Sequence, residues 1–508
     1  MGDGSGIGDS DEGAATPPAD VPPRAASLLD ALIPLGTLAV LIAAALALFG
    51  LDALDGPIQV ALVLCAMVAA LVAMKNGHTF EEVQRAAQGS VASVTSAIFI
   101  LLAVGALIGV WNLSGTIPTL VYYGIQLLSP GWYYAAAALI CGIVALSIGS
   151  SWTTAGTIGV GLVGIAVALD VSPEITAGAV VSGAYLGDKL SPLSETTVLS
   201  SQMVGVDVYD HVKRQVWTSV PAFLIAMVGF VILGLVRGTD STIVPEDIEL
   251  TALRDVYHIT PLNLLPLVLL AVLSIRKVPA SLALTAATLF AGLCGAVLQP
   301  DVVQGFAEHG GGVVVESVKA VWQAMATGFQ IESGVSEVDH LVSRGGMASM
   351  LPTIWLIIGA VTFGALLEEF GMIARLVDPL IAAAKSTGQL FLAVFVSAFG
   401  LNIVAGDQYI ALVLPTRVFR AEFAKRGLAP TNLSRLAADS GTVTSPLVPW
   451  NSCGAFMGAV LGVSALQYLP YALFNIASPA LSVLYGFTGF TVERVGAAAR
   501  PAAAKEHP

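Results

Sequence analysis

The sequence predicts an all-α polytopic membrane protein made of two inverted-topology repeats, with re-entrant hairpins and broken transmembrane helices. Of its 508 residues, 56% are hydrophobic and only 11% are charged, whereas soluble domains carry about 25% charged residues. Many windows stay apolar for about 18 residues or more, which is enough to cross a bilayer. Two related polar motifs interrupt apolar helices, one in each half. This composition excludes a soluble enzyme, and no enzymatic activity is expected.

The first polar motif lies at residues 183–197 and reads GAYLGDKLSPLSETT. Pro192 has no amide hydrogen to donate and its ring clashes with the preceding turn, which predicts a helix break between Leu190 and Ser191. Backbone groups freed by a break inside a bilayer must face protein or a water-filled cavity. Unwound backbone beside hydroxyls and a carboxylate is typical of an ion site in a secondary transporter. The alternative is a polar loop between two helices near an interface.

A second polar motif lies at residues 437–451 and reads AADSGTVTSPLVPWN. One offset of 254 residues aligns three anchors: Gly187 with Gly441, Ser191-Pro192-Leu193 with Ser445-Pro446-Leu447, and Gly105-Ala106 with Gly359-Ala360. Internal duplication with helix breaks at matching places predicts a transporter whose site lies between the repeats.

The first repeat is expected at residues 28–236, after an acidic tail at 1–27 whose Gly, Pro, Ala and Asp content predicts disorder. Its predicted elements are apolar segments at 31–51 and 57–74, an amphipathic stretch at 80–92, a span at 93–112, hairpin arms at 132–148 and 158–169, a broken helix at 175–206 and a helix at 216–236. The small and hydroxyl residues at 147–159, between the two arms, are typical of a re-entrant tip at membrane depth.

The second repeat is expected at residues 261–490, after an extracellular-side linker at 237–260. It repeats the order with segments at 261–275 and 279–298, an amphipathic stretch at 311–330, a span at 351–370, hairpin arms at 389–405 and 409–423 around a tip at 404–408, a broken helix at 430–464 and a last helix at 471–490. Residues 331–350 are interpreted as an insertion between matched parts, and 491–508 as a cytoplasmic tail.

The positive charges predict the orientation. With the N-terminus in the cytoplasm, most of the 22 lysines and arginines fall on the inner side, as the positive-inside rule requires. In this layout the chain enters the membrane from opposite faces at the start of the first and of the second half. The repeats are therefore expected to be inverted, with both termini in the cytoplasm. We expect a multi-pass protein of the cell membrane whose partners are the lipid bilayer and transported ions, not nucleic acid. The start of the chain lacks the pattern of a removable signal peptide.

Asp188 is the leading candidate for the ion site. An ionised carboxylate at membrane depth costs at least a few kcal/mol unless it is compensated. Na⁺ compensates the charge through hard oxygen ligands, and a proton compensates it by neutralising the acid. A carboxylate that takes either cation but not both is the minimal apparatus of an exchanger. The alternative is a structural ion pair between Asp188 and the adjacent Lys189, which is otherwise a fixed counter-charge or a residue that snorkels outward.

Two further carboxylates meet the same desolvation argument. Asp439 lies two residues before the matched Gly441, where the alternative is an N-terminal cap of a half-helix. Asp407 lies at the second hairpin tip, where the alternative is an exposed turn acid. Neutral oxygens for ion binding are expected from side chains in both motifs: Ser191, Ser194, Thr196, Thr197, Ser445, Asn451 and Ser452. The competing fate of these groups is a bond to nearby backbone.

Other ionisable residues are less informative. Glu195 either titrates at the site or lies at the first turn of the second half-helix, where the helix dipole favours an acid. Glu368 and Glu369 end a spanning segment and are expected at the interface. All six histidines are expected in loops or in the tail, so carboxylates must carry any protons. The four cysteines lack a CxxC pattern and are expected to pack as small apolar residues.

The first motif resembles the signature of NhaC-type Na⁺/H⁺ antiporters, within a superfamily of ion transporters with inverted repeats. Residues 341–351 (LVSRGGMASML) and 437–455 are also similar to that family's second half, and the resemblance spans about residues 30–490. It implies an antiporter that moves Na⁺ outward in exchange for H⁺. The resemblance implies that the residues matching the family's motifs belong to the ion site: Asp188, Ser191, Thr196 and Thr197 in the first motif, and Asp439, Ser445 and Asn451 in the second. Glu195 departs from the Asp common there, which puts its role in doubt.

Two functions remain in competition. The first is a Na⁺/H⁺ antiporter in which Asp188 and Asp439 are the Na⁺-binding carboxylates. The second is a Na⁺-coupled carrier or exchanger of a small organic acid, such as malate or lactate, or of an amino acid, because half-helix N-termini near the midplane can bind an anion. Arg435 is expected too near the cytoplasmic end to clamp a carboxylate, which favours the antiporter. No cofactor is expected beyond the transported Na⁺ and H⁺, and a homodimer is compatible with the sequence.

Overall fold

The computed structural model describes residues 23–237, 251, 253–307, 310–332, 339 and 342–495. Within these ranges the chain is helical and has no β-strand beyond one isolated bridge between Leu428 and Arg494. Nine described helices are long and apolar enough to cross a membrane, and one bent pair adds a tenth. The predicted polytopic all-α class is confirmed. Most of the predicted tails at 1–27 and 491–508, and of the linker at 237–260, lies outside the described residues.

The first half contains eleven described helices in the expected order. They are α1 Leu28–Phe49, α2 Pro57–Lys75, α3 Phe80–Ser93, α4 Thr95–Leu113, α5 Thr116–Leu127, α6 Tyr133–Ile148, α7 Ser151–Thr154, α8 Val160–Ala168, α9 Pro173–Leu190, α10 Glu195–Val204 and α11 Val208–Arg237. A π turn at Ala155–Gly159 joins α7 to α8. The helix break predicted after Leu190 is present, because α9 ends at that residue.

The second half contains twelve described helices. Its helices are α12 Leu265–Ile275, α13 Ala280–Leu298, α14 Pro300–Phe306, α15 Val313–Thr327, α16 Leu351–Glu369, α17 Met372–Ala383, α18 Thr387–Val404, α19 Gln408–Lys425, α20 Pro430–Ala437, α21 Ser452–Leu461, α22 Ala465–Tyr468 and α23 Leu473–Thr488. A π turn at Ala438–Thr442 continues α20. The two-fold rotation between the halves, and the depth of the hairpins in the bilayer, stay predictions.

Sequence reasoning missed α5 and α17. Each has 12 residues, too short to span a bilayer, and each follows a 19-residue helix, α4 or α16. Gly115 and Gly371 precede them with φ of 73° and 70°, a left-handed conformation that glycine adopts without steric cost. The same local device therefore turns the chain at the same place in each half.

The two hairpin tips are also built alike. Gly149 follows α6 with φ 78°, and Gly406 precedes α19 with φ 63°. The next residues, Ser150 and Asp407, cap the returning helices by accepting hydrogen bonds from backbone amides. The first cap is a neutral hydroxyl and the second is a carboxylate, so the tips share a geometry but differ in charge.

The exterior of the bundle is apolar, unlike the surface of a soluble protein. Large apolar side chains are exposed along the outer helices, among them Leu71, Leu224 and Leu293, as expected for surfaces that contact lipid. Serines, threonines and asparagines are instead buried around the helix breaks. This distribution places the polar site inside the bundle.

Close helix packing positions that site. Helix α9 carries the GxxxG pair Gly183 and Gly187, and small residues of this kind let membrane helices approach closely. A Cβ at Gly183 would lie 2.1 Å from the carbonyl oxygen of Ala138, and a Cβ at Gly187 would lie 2.4 Å from that of Gly142. Helices α6 and α9 are therefore in backbone contact just before the break.

The predicted insertion ends in the interior of the molecule. The backbone amide of Gly346 donates to the carbonyl of Gly105 on α4 at 2.7 Å. A Cβ at Gly345 would lie 2.3 Å from the amide nitrogen of Gly109, and a Cβ at Gly109 would lie 2.1 Å from the carbonyl oxygen of Ala324 on α15. The described residues 342–350 are thus part of the packed core, which explains the glycines in both GALIG and SRGG.

We expect Gly183→Val to separate α6 from α9, because its side chain would overlap the Ala138 carbonyl. Overpacking of this kind costs about 1–3 kcal/mol. Melting of the detergent-purified protein measures the loss. Gly400→Val is the matched control, because a Cβ at this helical glycine meets no atom within 4 Å. Equal melting temperatures for the two variants would contradict the packing argument.

Candidate ion-binding site

The first helix break gathers the predicted first-motif residues around Asp188. Asp188 is only 6% exposed, and Ser191, Ser194, Thr196 and Thr197 are buried. The hydroxyl of Thr197 donates to the backbone carbonyls of Asp188 at 3.3 Å and of Lys189 at 3.2 Å. Ser194 caps α10 by accepting from the Thr197 amide. The hydroxyls therefore hold the ends of the break together, close to the carboxylate.

Sequence reasoning missed the side chain that reaches the carboxylate directly. Ser151, at the tip of the first hairpin, donates its hydroxyl hydrogen to Asp188 Oδ2 at 2.7 Å. The sequence signal for Ser151 is the run of small and hydroxyl residues at 147–159. That run predicts a hairpin tip but does not single out one residue within it. The hairpin tip and the broken helix thus meet at one buried carboxylate surrounded by neutral oxygens, a donor set suited to a hard cation.

Lys189 is bound by the other half of the protein. Its Nζ forms an ion pair with Asp439 Oδ1 and donates to the Ser478 hydroxyl at 2.8 Å. Ser478 donates in turn to Asp439 Oδ1 at 2.8 Å, and Thr218 does so at 3.4 Å. Both charged side chains are buried, at 2% and 0% exposure. The structure therefore pairs Lys189 with Asp439, in place of the Asp188–Lys189 pair that was the alternative.

Asp439 does not cap a half-helix. It lies inside the continuous helical run formed by α20 and the π turn at Ala438–Thr442. The wider turn of a π-helix is frequent at functional sites. Asp439 and Asp188 therefore have different surroundings: one carboxylate faces a lysine, and the other faces a serine hydroxyl.

The second helix break is held by a network of amides. Asn451 donates to Asn402 Oδ1 at 3.0 Å, and Asn402 donates to the carbonyl of Gly441 at 2.7 Å. Asn451 also caps α21, and Ser445 donates to the carbonyl of Thr442 at 2.7 Å. Ser445 and Asn451 lie at the break as predicted, and their hydrogen bonds to neighbouring groups stabilise it internally. Asn402 was not identified from the sequence.

Asp407 is a buried cap and not the exposed turn acid that was its alternative. It is 7% exposed, and its Oδ1 accepts from the amides of Tyr409 at 2.7 Å and Ile410 at 3.1 Å. It lines a cavity of about 920 Å³ together with Glu195 and Glu368. Glu195 is exposed at the first turn of α10. Glu82 and Glu369 also line this cavity, so five carboxylates face it.

The expectation for the histidines is wrong at His211. This residue lies in the second turn of α11 and is fully buried, with Nδ1 2.9 Å from the Ser434 hydroxyl. The error has a physical cause: Asp210, Lys213 and Arg214 interrupt the apolar run, so hydropathy placed the helix start at 216. The helix begins at Val208 and carries these charges outside the apolar stretch.

Arg435 lies in the last turn of α20, inside the bundle. It is fully buried, its Nη1 donates to the Thr491 hydroxyl at 2.9 Å, and its guanidinium lies 5.9 Å from the centre of the Tyr485 ring. These contacts join it to α23 and to the segment after α23, away from the Asp188 carboxylate.

A helical membrane bundle with two broken helices and buried carboxylates at the breaks has the architecture of a secondary active transporter. The chain belongs to the Na⁺/H⁺ antiporter family, whose sequence model matches residues 31–234 and 183–490. The match covers both halves and both polar motifs, so it confirms the resemblance found in the sequence.

Three relatives illustrate the range of this family. The Na⁺/H⁺ antiporter NhaC of Alkalihalophilus pseudofirmus is 38% identical, over 85% of this chain and 91% of its own length. The malate-2H⁺/Na⁺-lactate antiporter of Bacillus subtilis is 33% identical, over 86% and 90%. The arginine/ornithine antiporter ArcD of Halobacterium salinarum is 35% identical, over 92% and 93%.

The Lys189–Asp439 pair generates a stability prediction. Removing one partner of a buried pair leaves an uncompensated charge and costs about 3–5 kcal/mol, whereas an apolar replacement of both partners is often neutral. We expect Lys189→Met and Asp439→Leu each to lower the melting temperature, and the double variant to regain most of the loss. Additive losses in the double variant would show that the two charges do not stabilise each other.

Proposed function

We propose that this protein exchanges Na⁺ for H⁺ across the cell membrane by alternating access, with Asp188 as the residue that binds both cations. The observation that carries the proposal is the environment of Asp188. Its carboxylate is buried and accepts from the Ser151 hydroxyl, while the neighbouring cation, Lys189, is engaged by Asp439. The charge of Asp188 is therefore left for a transported cation to compensate.

The physical basis of exchange is competition for one buried charge. An ionised carboxylate away from water is costly unless it is paired. Na⁺ would bind the carboxylate with help from neutral oxygens of the cluster, for which we propose Ser151, Ser191, Ser194, Thr196 and Thr197. A proton would instead neutralise the acid and remove the attraction for Na⁺. With either cation bound, the charge of the buried site is compensated, so the site can open to the other side of the membrane. The carboxylate cannot bind both cations at once.

Lys189 and Asp439 have a different proposed role. The sequence suggested Asp439 as a second Na⁺ ligand, but its Oδ1 already contacts a lysine ammonium and two hydroxyls. We assign it instead to the ion pair that joins α9 of the first half to the π turn of the second. This pair also holds a positive charge one residue from Asp188, which limits how strongly Na⁺ can bind there.

The acidic cavity is the proposed access route for cations. Against one arginine, five acids line it: Glu82, Glu195, Glu368, Glu369 and Asp407. An excess of one sign of charge in a cleft raises the local concentration of counter-ions. Arg85 and His78 also line the cavity, and Arg85 lies on the face that the charge distribution predicts to be cytoplasmic. Asp407 is thus proposed to attract ions towards the hairpin tip, not to hold them at the central site.

The setting of this function follows the family. We propose a multi-pass protein of the cell membrane with both termini in the cytoplasm, acting as a carrier and not as an enzyme. The transported Na⁺ and H⁺ and the surrounding lipid are its proposed partners. The mechanism calls for no cofactor and no nucleic acid, and a homodimer is the assembly to test.

The second candidate is an exchanger of a small organic acid or amino acid. The malate/lactate and arginine/ornithine relatives favour it. The chemistry of the centre favours it less, because the buried cations that might bind a carboxylate have partners: Asp439 binds Lys189 and Thr491 binds Arg435.

Reconstituted liposomes discriminate between the two functions. We expect a Na⁺ pulse to move protons, followed by an internal pH dye, with no organic solute present. Malate, lactate, arginine and ornithine are added separately as the comparison. Proton movement that requires one of these solutes would overturn the antiporter proposal and select the second candidate.

A conservative variant tests the role of Asp188. Asp188→Asn keeps the shape but removes the charge, so we expect it to abolish Na⁺/H⁺ exchange while the protein stays folded in the membrane. In the native protein, acid pH should weaken Na⁺ binding because the proton competes for the same carboxylate. Asp170→Asn is the control, since this exposed residue has a left-handed φ of 51° that asparagine tolerates. Near-native exchange by Asp188→Asn would make Asp188 structural.

A further inference from the structure

A stripe of buried polar side chains leads away from the Lys189–Asp439 pair. We call it the polar seam and define it by these residues: His211, Gln215, Thr218 and Ser219 on α11; Ser478, Ser482 and Tyr485 on α23; and Ser434, Arg435, Asp439 and Ser440 on α20 and its π turn. The α11 members recur at intervals of four, three and one residues, so they occupy one face of the helix. All are buried, most with no exposed surface.

Many atoms of the seam have no protein partner. Within the described part of the chain, no hydrogen bond reaches these buried atoms: both amide atoms of Gln215, the hydroxyls of Ser219, Ser440 and Ser482, His211 Nε2, Arg435 Nε and Nη2, and Asp439 Oδ2. An unsatisfied buried polar atom costs about 1–3 kcal/mol, so native proteins contain few of them. Because so many such atoms lie along one stripe, we expect one kind of ligand to form hydrogen bonds with all of them.

The seam extends from the buried pair towards a surface cavity. At the inner end, Ser478 and Thr218 donate to Asp439. At the outer end, Arg435 donates to Thr491 at 2.9 Å. Two residues further on, Glu493 pairs with Arg214, and both line a cavity of about 580 Å³. His211, which contacts Ser434, and Gln215 lie between the two ends along α11.

We propose that the polar seam holds a file of water molecules that conducts protons between this surface cavity and Asp439. Water suits the site because it donates and accepts, and a buried water typically makes two to four hydrogen bonds to groups such as these. The proposal deepens the proposed function, on which it rests, by giving protons a route separate from the acidic cavity that receives Na⁺.

The proton transfer itself is simple. A hydronium ion at the inner end of the file gives its proton to Asp439 Oδ2; one O–H bond breaks as another forms, leaving neutral water and a neutral carboxyl group. Lys189 then loses its counter-charge one residue from Asp188; its freed positive charge disfavours Na⁺ there and so leaves the Asp188 carboxylate to the competing proton. The charged or titratable groups along the route are Lys189, His211, Arg435, Asp439 and Tyr485.

The first experiment detects the water without any transport. Hydroxyl radicals generated by a synchrotron pulse oxidise side chains that contact water, and mass spectrometry measures the rate for each residue relative to the same residue in the denatured chain. We expect His211 to react measurably. Tyr133, which is equally buried and donates to the Leu162 carbonyl, should be protected. Protection of His211 to the level of Tyr133 would overturn the water file.

The second experiment interrupts the route. Gln215→Leu removes both polar atoms of the amide at nearly constant volume. We expect the rate of Na⁺-driven proton movement to fall at least about tenfold, because one hydrogen bond to the proposed water is lost. Na⁺ affinity should stay within about twofold, because Asp188 is untouched. Asn112→Leu is the matched control: Asn112 is fully buried on α4, and both of its amide atoms also lack a partner among the described residues.

A third variant separates polarity from folding. Gln215→Ser leaves a hydroxyl and room for one more water, so it should restore proton movement relative to Gln215→Leu. Equal slowing by both substitutions, or native rates in Gln215→Leu, would overturn the route. If the native protein moves no protons in response to Na⁺, the proposed function fails, and the footprinting result still decides whether the seam holds water.

Discussion

A lysine and an aspartate from opposite halves meet in a part of the protein that has almost no exposed surface. Removing two such charges from water costs several kcal/mol each, and this cost is repaid only by close contact and additional hydrogen bonds. Ser478 and Thr218 supply those bonds to Asp439. The pair therefore depends on four helical elements, α9, α11, α23 and the π turn, having the positions they have. The two broken helices are tied at this point.

The consequence for Asp188 is electrostatic as well as geometric. Because Lys189 pairs with Asp439 of the second half, it does not pair with Asp188. Asp188 instead accepts a hydrogen bond from Ser151 at the hairpin tip. Two adjacent residues of one helix thus bind two different parts of the protein, one charged and one neutral. The same arrangement explains why two carboxylates from matched motifs need not perform the same task.

The fold was largely predictable, because its signals are local. Pro192 cannot donate the backbone hydrogen bond that a continuous helix would need at its position, a long run of apolar residues can span a bilayer, and the offset between Gly187 and Gly441 depends only on counting. The pairings at the site are not local. Ser151 and Asp188 are 37 residues apart, and Lys189 and Ser478 are 289 apart. The sequence therefore indicated residues of the site but not which of them contact each other. His211 was misplaced because hydropathy treats charged residues on one face of a helix as the end of that helix.

The glycine contact between residues 342–350 and α4 has a consequence for how the molecule can move. The amide of Gly346 bonds the carbonyl of Gly105, and Gly109 touches both Gly345 and the carbonyl of Ala324 on α15. Backbones in direct contact have no side chains that could change rotamer to allow sliding, and packed interfaces do not deform continuously. Helices α4 and α15 and this loop therefore form one rigid block. A conformational change in this region would have to carry α4, α15 and the loop together, because moving one of them alone would break these backbone contacts.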